Sequence, residues 1–146
     1  LLVTLIDQYA ATELSSVWGA IASNENDLSQ EFKDITYQKF ANAISLAATW
    51  LQDHLPLPTC DFQTITYVGP KDVRYPIIAV AAAKLKKKLL LPSPFASTSA
   101  QVYLIGASKC EVYLHGGPLD SETRGILSAN NNIDFMQIPS PSNFLW

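Results

Sequence analysis

At 146 residues the chain is the size of one domain, long enough to bury roughly 70% of its unfolded surface without disulfide or metal staples. Hydrophobic residues make up 48% and charged residues 16%, and 9 prolines are spread along the chain, which excludes a disordered or low-complexity linker. The formal net charge of −3 excludes a general nucleic-acid binder, because counterion release needs a broad cationic face.

Leu1, Leu2, Leu5, Ile6, Tyr9 and Ala10 recur at three- and four-residue spacing, which predicts an amphipathic helix to about Glu13 or Leu14. The same stretch carries Asp7 and Gln8 without a basic leading region, so it does not read as a signal peptide. Val17 to Ala22 reads as a short strand, and Ser23 to Phe32 as a polar turn region. Ile35-Thr36-Tyr37 leads into a second helix with Phe40, Ile44, Ala47, Leu51 and Leu55 on one stripe, ended by Pro56 and a loop from Leu57 to Asp61.

From there the pattern is regular. Phe62 to Val68 predicts a strand that stops at Gly69-Pro70. Asp72 is placed to cap a following helix, with Pro76 in its first turn and an all-round apolar, hence buried, run from Ile77 to Ala83. Leu89 to Leu91 reads as a strand broken by Pro92, and Ser97, Thr98 or Ser99 as the cap of a helix to about Ser108. Cys110 to Leu114 predicts a strand, Gly116-Gly117-Pro118 a turn, Asp120 to Ala129 a weaker helix and Ile133 to Ile138 a last strand. Strands alternating with such helices imply right-handed parallel crossovers, so residues 1–146 are expected to form one α/β domain, a three-layer sandwich with a mostly parallel sheet.

The run AAAKLKKKLLLPSP over Ala81 to Pro94 has two readings, a basic ligand patch or a helix end handing over to a strand. In the second, which the sequence favours, the lysines complement the negative end of the helix and the leucines form a central strand covered on both faces. No segment approaches the roughly 20 apolar residues of a membrane span, so no membrane partner is expected. Cys60 and Cys110 have no metal-ligand spacing, and reduced thiols in a cytoplasmic protein are the expectation.

Neither GxxxxGK[ST] nor GxGxxG occurs. In open parallel sheets ligands gather beyond the carboxyl ends of the strands, which selects Lys71, Asp72, Ser93, His115 and Ser140 as candidates for acid, base or anion contacts. They form no recognisable triad or metal set. His54, near a helix end, reads as a favourable dipole contact.

Whole segments do show a resemblance. Leu1 to Ala11 (LLVTLIDQYAA), Phe32 to Leu51 (FKDITYQKFANAISLAATWL), Phe62 to Tyr75 (FQTITYVGPKDVRY), Ala79 to Pro94 (AVAAAKLKKKLLLPSP) and Cys110 to Leu114 (CEVYL) resemble successive blocks of an adenylation domain. The type is that of fungal non-ribosomal-peptide-synthetase-like enzymes and adenylate-forming reductases, known from fungal secondary metabolism. Ile35 to Phe40 resembles the first core motif and Ala83 to Pro92 the second, although Leu85 to Lys88 stand where the family has a glycine after the helix. The resemblance implies the leading part of the large N-terminal subdomain of an adenylate-forming enzyme.

A full-length relative would use ATP and Mg²⁺ to make an acyl-adenylate and pass it to a phosphopantetheine carrier thiol. The family's phosphate loop, substrate pocket, ribose-binding aspartate and catalytic lysine fall later than this stretch, so no cofactor is expected on this chain alone and no catalytic residue carries over. The expected partner is the remainder of an adenylation domain or a second copy covering the same apolar surface. The alternative reading is a stand-alone α/β binding or interaction protein built on this scaffold; a small enzyme using the His115 edge is a third.

Overall fold

The computed structural model describes residues 2–23, 29, 31–93, 95–118, 120–130 and 132–145. Leu1, most of the polar turn expected over 23–32, Pro94 and Trp146 lie outside them. The chain opens with helix α1 (Leu2–Thr12) and an antiparallel hairpin of β1 (Val17–Ala22) and β2 (Phe32–Thr36), followed by the long helix α2 (Tyr37–His54). The alternating part comprises β3 (Thr64–Val68), α3 (Arg74–Lys84), β4 (Lys88–Leu90), α4 (Thr98–Ala107), β5 (Cys110–His115), α5 (Ser121–Ser128) and β6 (Asp134–Gln137), closed by the short α6 (Pro141–Leu145). The four later strands form a parallel sheet in the order β4-β3-β5-β6.

The expected three-layer sandwich is present. On one face, Ile65 and Tyr67 of β3 and Val112 and Leu114 of β5 meet α3 (Ile77, Ile78, Ala81) and α2 (Phe40, Ile44, Ala47, Leu51), all buried in one cluster. Phe144 of α6 joins this cluster from outside α2. The opposite face is covered by α4 and α5, and the buried cluster they form with β5 among the described residues is Ile105, Cys110, Tyr113 and Ile126. No helix among the described residues is long and apolar enough to cross a membrane.

Local chemistry accounts for the helix ends. Thr36 caps α2 by accepting the Lys39 N–H at 3.2 Å, and Ser97, one of three expected candidates, caps α4 by accepting the Ala100 N–H at 3.3 Å. Asp120 accepts the Thr123 N–H at 2.7 Å ahead of α5. The end of α3 closes in a Schellman pattern, with Lys86 N–H on Ala83 O at 3.1 Å and Lys87 N–H on Ala82 O at 2.8 Å. Lys86 supplies the left-handed residue (φ 56°) that glycine would otherwise provide, and Lys109 (φ 52°) does the same after α4.

Four expectations need correction. The leucine strand is not central: among the described residues β4 pairs with β3 alone, and its leucines are half-buried. Its shortness, its flanking lysines and Pro92 are how proteins blunt an exposed strand edge, which is the physical use of the lysine run. Asp72 does not occupy the cap position of α3, which falls to Val73 without a side-chain bond; Asp72 accepts the Arg74 N–H at 2.9 Å from one residue earlier. Of the described residues of the α1 stripe, Ile6 is buried while Leu2, Leu5 and Tyr9 stay exposed, because α1 packs one side against α2 and α3 and forms an outer layer. Residues 32–36, with Phe32 expected in the polar turn and Ile35-Thr36 only as the lead into α2, form a strand because β1 supplies the pairing.

Candidate functional site

The carboxyl edge of the sheet is organised by a residue absent from the sequence-derived candidates. Arg74, the first residue of α3, is buried (5% exposed), and a buried guanidinium is tolerated only when paired and hydrogen-bonded. It grips Asp72 with Nη2 to Oδ2 at 2.6 Å and Nε to Oδ1 and Oδ2 at 3.1 and 3.0 Å. Its Nη1 donates to Pro139 O at 3.4 Å, so one cation ties the segment after β3 to the segment after β6. Just past β5, a Cβ on Gly116 would stand 3.1 Å from Arg74 Cζ, closer than ordinary van der Waals contact, so a larger residue there would have to displace the guanidinium.

Beneath that layer the Tyr67 hydroxyl is wedged between two glycines. A Cβ at Gly69 would approach it to 2.3 Å and one at Gly116 to 2.6 Å. The hydroxyl is buried with no hydrogen-bond partner among the described residues, and burial pushes its pKa up although the nearby Arg74 charge opposes this. Tyr75, tilted against Tyr67 at 4.8 Å, donates its own hydroxyl to Gly69 O at 3.1 Å and accepts the Gly69 N–H at 3.3 Å.

The five candidate residues do not converge. Lys71 and Asp72 come together on the wall of a groove of about 600 Å³ beneath the β1–β2 hairpin, shared with Trp18, Phe32, Val73 and Pro141. His115 lies elsewhere, in a depression of about 250 Å³ against the start of α5, with its Nδ1 2.7 Å from Gly117 O, a turn-closing contact. Ser140 bonds Asn143 Oδ1 and Ser142 Oγ, both at 2.6 Å, at the start of α6. Ser93, after the edge strand β4, accepts the Phe95 N–H at 3.3 Å and shapes a turn.

The residues at this edge do not fit ATP with Mg²⁺. A hard cation needs several free oxygen ligands. Here both Asp72 oxygens are held by Arg74 and Asp120 Oδ1 is held by the Thr123 N–H. Lys71, an exposed cation on the groove wall, has no ion pair among the described residues.

The amino edge carries a second polar cluster that sequence reasoning missed. Glu111 of β5 accepts the Thr59 hydroxyl at 2.7 Å, the Thr59 N–H at 3.3 Å, the Gln63 amide at 2.8 Å and the Cys60 thiol at 3.6 Å. Burial by itself would raise its carboxyl, but the Thr59 hydroxyl, the Gln63 amide and the other donors outweigh it and hold the pKa below the usual carboxylate range. Lys87 completes the cluster on Gln63 Oε1 at 2.8 Å. These bonds pin the α2–β3 loop to the sheet. Both cysteines are free thiols, and burial raises that of Cys110 despite its contact with Thr66.

Arg74 had a legible signal, a lone arginine against a helix that is otherwise apolar all round. The hairpin wall of the groove had none, since Trp18 and Phe32 are brought onto it by pairing between distant residues.

No family model matches the chain. The isocyanide synthase-NRPS hybrid crmA of Aspergillus fumigatus is 32% identical over 115 residues, which is 79% of this chain and 7% of that protein. A carboxylic acid reductase of Neurospora crassa is 30% identical over 118 residues, 77% of this chain and 11% of that protein. Among solved structures, the long-chain-fatty-acid-CoA ligase FadD1 of Archaeoglobus fulgidus superposes with a TM-score of 0.75 at 13% identity, over 99% of this chain and 29% of its own. O-succinylbenzoate coenzyme A synthetase (MenE) of Bacillus subtilis, solved with AMP, gives 0.68 at 12% identity over 96% of this chain and 32% of its own. In sequence and fold, then, this chain is the counterpart of the N-terminal portion of an adenylate-forming domain of the fungal NRPS-like type.

Proposed function

We propose that this chain is the scaffold portion of an adenylation domain, and that the longer protein it serves activates a carboxylic acid with ATP as an acyl-adenylate for transfer to a carrier-protein thiol. The observation that carries this reading is the lopsided coverage: nearly all of this chain superposes on less than a third of FadD1. The carboxyl edge supports it as well, because Arg74, Asp72, Ser140 and Ser93 are engaged in holding the framework. By itself the chain is not catalytic.

Its partner is the remainder of such a domain. Exposed apolar side chains on two outer helices, Leu2 and Leu5 on α1 and Tyr103 and Leu104 on α4, together with Phe95, favour a surface that is covered in use. The free thiols of Cys60 and Cys110 suit a reducing, cytoplasmic setting. The test is ATP–pyrophosphate exchange across a panel of carboxylic acids. The chain alone gives only background, and a longer protein containing it exchanges with at least one acid; exchange by the chain alone would overturn the reading.

A further inference from the structure

Independently of that reading, we propose that the groove beneath the β1–β2 hairpin is a binding site for an aromatic monoanion, its flat body between the hairpin and the β3–α3 turn and its headgroup on Lys71. The volume, about 600 Å³, is that of a small-molecule pocket, and such pockets combine mostly apolar walls with a few placed polar groups. Here the walls are Trp18, Ile21, Phe32, Val73 and Pro141. Two of them, Trp18 and Phe32, are aromatic. Trp18 is held in place by stacking on Phe40 at 3.7 Å between centroids, and Phe32 is 57% exposed, an energetically unfavourable position for a phenyl ring that a flat ligand would cover.

The frame around the groove is built from fixed elements. Tyr37 N–H donates to Ser16 O at 3.0 Å and closes the base of the hairpin, Ile35 is fully buried under it, and the opposite wall is clamped by the Arg74–Asp72 pair. That pair also sets the charge. Asp72 lines the groove but its carboxylate is neutralised by Arg74, whereas Lys71 forms no ion pair or hydrogen bond among the described residues. The Arg74 N–H at the start of α3, which a phosphate would otherwise contact, is already given to Asp72. Among the described residues of the groove, one free cation stands beside two aromatic rings, which matches an aromatic body with a single negative charge, carboxylate or sulfonate, better than a nucleotide's polyphosphate.

The test is calorimetric titration of the full chain with 2-naphthoate and naphthalene-2-sulfonate as probes and 2-naphthol as the neutral control. Each anion is expected to saturate one site with a Kd of about 1 mM or tighter, and 2-naphthol to bind at least about tenfold more weakly. Lys71→Glu, at an exposed position, removes the preference for the anions, and Ala20→Trp, which fills the groove from the exposed hairpin, abolishes binding. Tyr103→Ser, on the outer surface of α4, leaves binding unchanged; Lys71→Met with an unaltered thermal midpoint serves as the folded control. Equal binding of the neutral control, binding that survives Ala20→Trp, or no saturation by either anion would overturn the proposal. A preference for only one of the two anions would identify the headgroup and support it. Pyrophosphate exchange is unaffected by any of these outcomes, so this site and the scaffold reading fail separately.

Discussion

The two faces of the sheet are built to different standards. The face under α2 and α3 packs Ile65, Tyr67, Val112 and Leu114 against two helices, with α1 and α6 adding a further layer. The face under α4 and α5 has a buried cluster of Ile105, Cys110, Tyr113 and Ile126, while Tyr103 and Leu104 of α4 stay exposed. Sequence explains part of this. Helix α3 is apolar on every side and can be sandwiched, and α4 is nearly as apolar all round but has no second layer above it among the described residues. A face covered twice should unfold with the whole molecule, and a face covered once should open by itself.

The largest effects should test that difference directly. Ile77→Ala on the thick face removes a fully buried side chain and is expected to cost about 2–5 kcal/mol of global stability by denaturant unfolding. Ile105→Ala removes an equally buried side chain on the thin face. Its cost should appear first as faster hydrogen exchange confined to α4 and α5, with β3 still protected. Uniform loss of protection in both variants would show that the two faces form one cooperative unit.

Next in size is Gly116→Ala, expected to destabilise by about 1–3 kcal/mol. The added methyl would press on the Tyr67 hydroxyl and on Arg74, neither of which has free space to retreat. The double variant with Tyr67→Phe should recover much of the loss, because it deletes the clashing oxygen and a buried hydroxyl without a partner among the described residues. A full loss in the double variant would place the strain at Arg74 instead.

A matched pair of smaller changes compares the faces again. Lys86 ends α3 and Lys109 ends α4, both in left-handed backbone. Glycine at either position relieves about 1 kcal/mol of local strain. Lys86→Gly should raise the thermal midpoint by the full amount. Lys109→Gly should raise it less if α4 opens before the rest, and equal gains would argue against a separate thin face.

The smallest effect lies at the amino edge, which serves both faces. Because hydrogen bonds depress the Glu111 carboxyl in the folded state, the stability it contributes is present above its unfolded value of about 4.3 and is lost as pH falls through the lower folded value. Glu111→Gln should therefore lower stability at neutral pH, flatten the acid side of the profile and converge with the parent protein at low pH. Unaltered acid sensitivity would remove Glu111 from the account.

Much of the fold could be read from local pattern. FQTITYV ended by Gly69-Pro70, the serine before α4 and the turn after β5 each carry their own chemistry, and each fell within a few residues of its observed place. Strand order did not carry over, because a short apolar run such as Leu89 to Leu91 looks alike in a central and in an edge strand. The lysines beside it were read as a helix end, which Lys84 is, while their second use in guarding an edge depends on which strand has a vacant side. Of the candidate site, Lys71 and Asp72 were legible as residues just past a strand. Their unlike roles, one free on a groove wall and one bound to a buried arginine, were not.

What the sequence by itself determined, then, is the series of alternating elements and their ends, since those follow from periodicity, caps and turn residues within a few positions of one another. Tertiary structure alone decided that β3 lies inside and β4 outside, that Phe32 to Thr36 is a strand, and that Trp18, Phe32 and Lys71 share a groove. The physical reason is that strand pairing and the contact of Arg74 with Pro139 join residues from 10 to 65 positions apart, and the free energy of those contacts is absent from any local window of the chain.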